Sequence, residues 1–197
     1  MKKLLQVSIV LLPLLLTNCV TFKSDRYAEI KIEDLQVKTK SDKKIKIYTT
    51  WNLYSSIANA AEIHKGKYEH LAMFNDAVRE AGCCEIMDTK DGADIIVEGG
   101  FRNETNPNVT YFASLTGATF GIIPLFFNAK ISISAIASKQ KKNYTYDLDD
   151  SYSNAMWLPL VLVMPFRESP LKTERRVMER LYKNLVLAMK KDGVLEK

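Results

Sequence analysis

Histidine and cysteine are scarce in this chain, and each scarcity removes a class of function. There are two histidines, His64 and His70, in 197 residues. Six positions apart, they would be turned about 240° from each other on a helix and could not share a metal from one face. Surface histidines are the expected account. Three cysteines are too few for a disulfide scaffold. Cys83 and Cys84 are neighbours. They read first as two small apolar residues entering a strand, and second as a vicinal redox pair. The chain has no G-x-S-x-G, no H-E-x-x-H and no phosphate-cradling glycine loop. Asp147, Asp149 and Asp150 have no glycine at the spacing a calcium loop needs, and read as a solvated strand face. No basic stripe with interleaved aromatics suggests nucleic acid. No catalytic residue, cofactor or metal is expected.

Charge is also absent, locally, at the start. Lys2 and Lys3 precede an uncharged run from Leu4 to Leu16 broken only by Gln6, Ser8 and Pro13. A membrane-spanning helix needs about 20 apolar residues, so this run is short for one. It fits the apolar core of a signal peptide. Leu16-Thr17-Asn18-Cys19 follows and resembles the lipobox of bacterial lipoproteins. There the cysteine thiol takes a diacylglyceryl group, the preceding peptide is removed, and the new amine is acylated. Asn18 departs from the usual Gly, Ala or Ser, a looseness similar to that of spirochaete lipoproteins. The resemblance implies a partner, the lipid bilayer, reached through acylated Cys19. Val20 is not the aspartate that resembles an inner-membrane retention signal, so the outer membrane is the expected location, leaflet open.

Residues 1–18 are thus read as a leader, 19–43 as a lipidated N-terminus and tether, and 44–197 as one domain. Removing Lys2 and Lys3 lowers the net charge from +5 to +3 and leaves 179 residues, enough for one core. Eight Lys/Arg and five Asp/Glu between Lys23 and Lys46 suggest a solvated linker. Within it, Ala28, Ile30 and Ile32 alternate and could add an edge strand. Alternation at Ile45, Ile47 and Thr49 predicts a strand over 43–51. Leu71, Phe74, Val78 and Ala81 share a helical face that Gly82 ends, with Gly66 marking its start or a break. Short strands are expected at 83–88 and 93–104, separated by an Asp91-Gly92 turn. Gly99-Gly100 suggests a bulge in the second. Residues 130–138 and 144–152 alternate as an antiparallel hairpin. Tyr144, Tyr146 and Tyr152 on it read as cross-strand pairs before a carbohydrate-stacking face. Ser169-Pro170 caps a last helix, buried along Val177, Leu181, Leu185 and Ala188, which Gly193 ends. The fold class expected is α+β: a mostly antiparallel sheet with two main helices on one face.

Two further uncharged stretches interrupt this pattern, at 105–129 and 151–166. The first carries Tyr111, Phe112, Leu115, Gly117 and Phe120, then Gly121, Ile122, Ile123, Leu125 and Phe126. Ala113, Gly117 and Gly121 recur every fourth position, as in a GxxxG helix that lets another backbone approach. The second carries Trp157, Leu158, Leu160 and Leu162 between prolines. If the strands are antiparallel, both stretches leave one end of the sheet. Three readings stay open: they complete the core, they form an apolar contact surface for lipid or a neighbouring subunit, or 109–128 crosses the membrane. Six of the 17 residues from Tyr111 to Phe127 are Ser, Thr, Gly or Pro, which counts against the last.

Ala93-Asp-Ile-Ile-Val97, Leu115-Thr-Gly-Ala-Thr-Phe-Gly-Ile-Ile-Pro124, Trp157-Leu-Pro-Leu160 and Met164-Pro-Phe166, with a terminal helix ending Asp192-Gly193, resemble a group of small uncharacterised bacterial lipoproteins. The resemblance covers residues 70–195 and implies an anchored α+β domain without catalytic residues. The order of elements is also loosely similar to periplasmic domains like the amino-terminal domain of the Tol–Pal translocation protein. The expectation is an envelope structural or assembly module, whose partner would be another copy of itself or an envelope protein. The alternative is a surface-exposed, adhesin-like binding protein.

Overall fold

The computed structural model describes residues 19–24, 26–37, 43–55, 60–106, 108–162 and 169–196. The leader 1–18 and the Met164-Pro-Phe166 motif lie outside the described residues. Among the described residues there are six strands: β1 (Cys19–Lys23), β2 (Ile45–Ser55), β3 (Cys84–Met87), β4 (Ile95–Thr105), β5 (Leu125–Lys139) and β6 (Lys142–Met156). The same residues hold four α-helices, α1 (Ile32–Leu35), α2 (Ala60–Ala81), α3 (Val109–Ala118) and α4 (Pro170–Lys191), with a 3₁₀ turn at Leu158–Leu162. The strands form one sheet in the order β1-β6-β5-β4-β2-β3. The chain is therefore α+β, as the pattern of elements implies. By internal contacts it divides into two units. Of the described residues, one holds those within 19–24, 105–129 and 151–175; the other holds those within 26–104, 130–150 and 176–196.

The second unit holds a core built around Trp51. Its ring is fully buried and meets Phe74 of α2 at 5.2 Å and Tyr182 of α4 at 4.9 Å, centroid to centroid. Both helices therefore cover the same face of β2. Val177, Leu181, Leu185 and Met189 of α4 are buried with them, as their helical spacing requires. Two glycines exist to let this core close. A Cβ on Gly99 would lie 2.5 Å from the Trp51 ring, and one on Gly66 would lie 2.5 Å from Leu53. No bulge interrupts the pairing of β4 with β2 at Gly99-Gly100: Trp51 pairs with Gly99 and Asn52 with Gly100 in unbroken register. Gly66 neither starts nor breaks α2, which begins earlier, at Ala60.

Two of the sheet's five neighbour pairs are parallel, since β2 runs parallel to both β3 and β4, while β1 pairs antiparallel with β6. The hairpin of β5 and β6 is as anticipated. Its two-residue turn, Gln140 and Lys141, has φ of 49° and 66°, the positive pair that matches strand twist. Helix α4 starts at the expected cap, where the Lys172 amide donates to Ser169 Oγ at 3.4 Å. It ends in a Schellman motif. Gly193 has φ 70°, and the Val194 and Gly193 amides bond the Met189 and Lys190 carbonyls. Lys139 Nζ donates to the Gly193 and Val194 carbonyls at 3.1 and 3.0 Å, a cation at the negative end of the helix.

The tether reading of 19–43 needs correction. Cys19–Lys23 pairs antiparallel with β6, Cys19 opposite Met156. Leu35 of α1 is fully buried, and Lys190 Nζ donates to the Asp34 and Gln36 carbonyls at 2.6 and 2.8 Å. The edge strand is Cys19–Lys23, not 28–32. Among the described residues, the charged Lys23, Arg26, Glu29, Lys31, Glu33 and Asp34 are exposed, beside the buried Val20 and Leu35.

Candidate functional site

The first unit gathers both uncharged stretches. Helix α3 leaves β4 and buries only Thr116 among its ten residues. An uncharged helix that turns nearly all of itself to solvent is unusual in a soluble core. Tyr111 is 69% exposed and Phe112 49%, with Leu115 at 37% on the same helix. The turn after α3 continues the pattern: Phe120 is 56% exposed, Ile122 68% and Ile123 39%. Phe126 and Trp157 are also exposed, while Leu158 and Leu160 are half-buried and the side chain of Leu162 lies outside the described residues. Leu125 and Gly121 differ from the contact surface expected of them, for both are buried. Leu125 belongs to the inward-facing set of β5 with Ala129, Ile131 and Ile133.

The small-residue stripe does not form. Helix α3 stops at Ala118, so Gly121 falls outside it, and a Cβ on Gly117 would meet nothing within 4 Å. Instead α3 closes in a second Schellman motif: the Phe120 amide bonds the Gly117 carbonyl at 3.0 Å and the Gly121 amide bonds the Thr116 carbonyl at 2.7 Å. The residue that must turn left-handed is Phe120, with φ 51°. Glycine is the usual occupant, and a bulky side chain there is strained. Gly121 follows at φ 80°. Its carbonyl accepts from the Leu158 amide at 2.8 Å, joining the two uncharged stretches. No helix among the described residues is long and apolar enough to cross a membrane, so 109–128 is not a spanning helix.

Polar bonds hold the frame beneath. Ser153 Oγ donates to Asn128 Oδ1 at 2.7 Å, and the Thr21 hydroxyl donates to Asn154 Oδ1. Tyr152 donates to Glu174 at 3.0 Å. Burial pushes the Glu174 carboxyl pKa up, and the Tyr152 bond partly offsets that. Ser138–Asn143 and Asn128–Ser153 fit one continuous β5–β6 register, which sets Leu125 beside Met156 and hence close to Cys19.

In the second unit, the groups weighed for chemistry have structural roles. His70 is buried, not on the surface. It stacks on Phe101 at 3.7 Å and its Nδ1 lies 3.0 Å from the Tyr182 hydroxyl. Burial lowers its pKa to about 4. Asp150 is not part of a solvated face either: it is buried and ion-paired with Arg180 at 2.6 Å, while Asp149 pairs with Arg26. A cleft of about 300 Å³ lies between Glu29, Ile30, Arg176, Glu179, Arg180 and Lys183. Its lining has three bases to two acids, and one of the bases, Arg180, is held by Asp150. Tyr146 is buried here, as is Tyr152 in the first unit, so the tyrosines make no stacking platform. Cys83 and Cys84 are joined as a vicinal disulfide. The two are therefore not free thiols. Both are buried, 1% and 7% exposed.

No family model matches the chain, and no curated protein matches it. Solved structures give distant likenesses. The hypothetical protein CT253 of Chlamydia trachomatis is 10% identical, with a TM-score of 0.31 over 55% of this chain and 73% of that one. A DUF4136 family protein of Bacteroides thetaiotaomicron is 12% identical, with a TM-score of 0.31 over 88% and 96%. The PelC dodecamer of Paraburkholderia phytofirmans gives 6% identity and a TM-score of 0.30 over 70% and 82%.

Proposed function

We propose that this chain is a bacterial envelope lipoprotein, anchored through acylated Cys19, that serves as a structural or assembly module and not as a catalyst. The carrying observation is the Leu16-Thr17-Asn18-Cys19 box behind an uncharged apolar run. An anchor of two or more acyl chains holds a protein stably, where a single chain is marginal. Supporting the module reading, the polar groups that chemistry would recruit are engaged elsewhere: His70 under Phe101 and Tyr182, Asp150 on Arg180. The uncharged exposed surface, by contrast, is a feature of contact. Outer-membrane placement follows from Val20 after the cysteine, and the group of small lipoproteins resembled by the Gly-Ala-Thr-Phe-Gly-Ile-Ile-Pro124 box fits it.

Metabolic labelling with radioactive palmitate tests the anchor. Label on the wild-type chain is expected, and an unlabelled wild-type protein refutes it. Protease applied to intact cells separates the module from the surface-exposed binder. A periplasmic module is spared until the outer membrane is opened, whereas an adhesin is cut at once.

A further inference from the structure

We propose that the exposed uncharged face seats directly on the bilayer that holds the anchor, as a collar around acylated Cys19. This rests on the anchor reading above and adds a surface to it. Four observations carry it.

The first is the missing tether. Cys19 is the first residue of β1 and sits opposite Met156. Paired strands are about 4.8 Å apart, so an acylated cysteine there leaves almost no chain between lipid and fold. Trp157 is the next residue along from Met156. Whatever lies beside this edge must meet the headgroups. The second is what lies there. The bond from Leu158 to the Gly121 carbonyl sets the turn after α3 against Trp157, and Phe120, Ile122 and Phe126 point outward around it, at 56%, 68% and 66% exposed.

The third is the absence of charge over 105–129 and 151–162. A protein partner is usually met across a rim with polar and charged complement. A face with no ionisable group but tyrosine offers no such complement, and pays no penalty for entering the headgroup–acyl boundary. Tryptophan and tyrosine are the aromatic residues enriched at that boundary. The fourth is the left-handed Phe120, where glycine would relieve strain. A bulky aromatic held outward there is backbone strain kept where a contact can use it. The ten-residue α3 is too short to cross the bilayer and would lie along its surface.

The two tryptophans make the test direct. Trp51 is fully buried and Trp157 is 41% exposed, so the difference between wild type and Trp157→Phe reports Trp157 alone. The full lipidated chain is purified in detergent, its N-terminal peptide weighed, and the protein reconstituted in phosphatidylcholine vesicles with brominated acyl chains. Trp157 should be quenched by the bromines and shielded from aqueous acrylamide. Tyr111→Trp in the Trp157→Phe background, on α3, should behave alike. An unmodified Cys19 in the weighed peptide overturns the anchor and the collar together. Lipid on Cys19 with both probes open to acrylamide overturns the collar alone. Probes shielded from bromine and acrylamide alike, in a protein that migrates as a multimer in detergent, also overturn it and give the face to a second copy.

Discussion

Trp51 and Gly99 show how one side chain can dictate its neighbour's identity. The indole fills the space above Gly99, so Gly99→Ala must push a Cβ into a ring with no free side. Overpacking of this kind costs about 1–3 kcal/mol; a urea melt of the variant should show the loss with the denaturant slope unchanged. His70 gives a pH signature. Its ordinary value is 6.5, and burial lowers it to about 4 in the folded chain. Above 6.5 it is neutral in both states and contributes no slope. Between 6.5 and 4 the unfolded chain binds the proton and the native chain does not, so stability falls as pH falls, by up to about 3 kcal/mol. Glu174 acts in the opposite sense, since its raised pKa makes the native state the better proton binder. The difference between wild type and His70→Phe isolates the histidine. Stability curves that stay parallel from pH 7 to pH 4 would refute the assignment.

Elements carry the next set of consequences. The β5–β6 turn asks two left-handed residues of Gln140 and Lys141, neither of which favours that region. Gln140→Asn with Lys141→Gly suits the turn type and should raise stability by about 1 kcal/mol, read as a higher melting temperature. Helix α3 gives a paired prediction. Gly117→Leu enters open space and replaces a poor helix former, a gain of roughly 0.8 kcal/mol. Gly121→Leu forces φ 80° on a leucine and should lose about 1–2 kcal/mol. Thermal melts in detergent check both, and equal losses would mean the stripe is packed after all. Legibility follows the same lines. Alternation exposed the hairpin, and the caps at Ser169, Gly82 and Gly193 stood in the sequence because their geometry tolerates few residues. The parallel pairing of β2 could not be read, since Ile45, Ile47 and Thr49 alternate alike in either direction. Glycine was ambiguous: it signals a bulge and a close approach with one letter, and only the position of Trp51 decides for Gly99. The uncharged stretches drew notice as a contact surface because they lack charge, though no pattern foretold that Leu125 would turn inward. Strand β1 was hidden behind the charge of the residues after it.

At the scale of the molecule, the proposed anchor and the fold meet at one residue, Cys19, and that constrains what a single change can do. On the reading proposed above, the thiol of Cys19 is both the acceptor of lipid and the gate to cleavage, since the peptide before a lipobox cysteine is removed only after the sulfur is modified. Serine conserves size and polarity and gives up the nucleophile that a thiolate supplies. Cys19→Ser should therefore leave the leader attached, a chain longer by 18 residues than the processed form and without palmitate. The precursor's thirteen-residue run, Leu4 to Leu16, is shorter than a spanning helix, and it would keep the chain on the membrane by a different and weaker hold. The consequence is a change of grip and not a release. Wild type should resist alkaline carbonate and leave the membrane only with detergent, while the variant should run larger on a gel and wash off in part. If Cys19→Ser runs at the processed size, an ordinary signal peptidase is cutting elsewhere, and both the lipobox reading and the collar built on it are wrong.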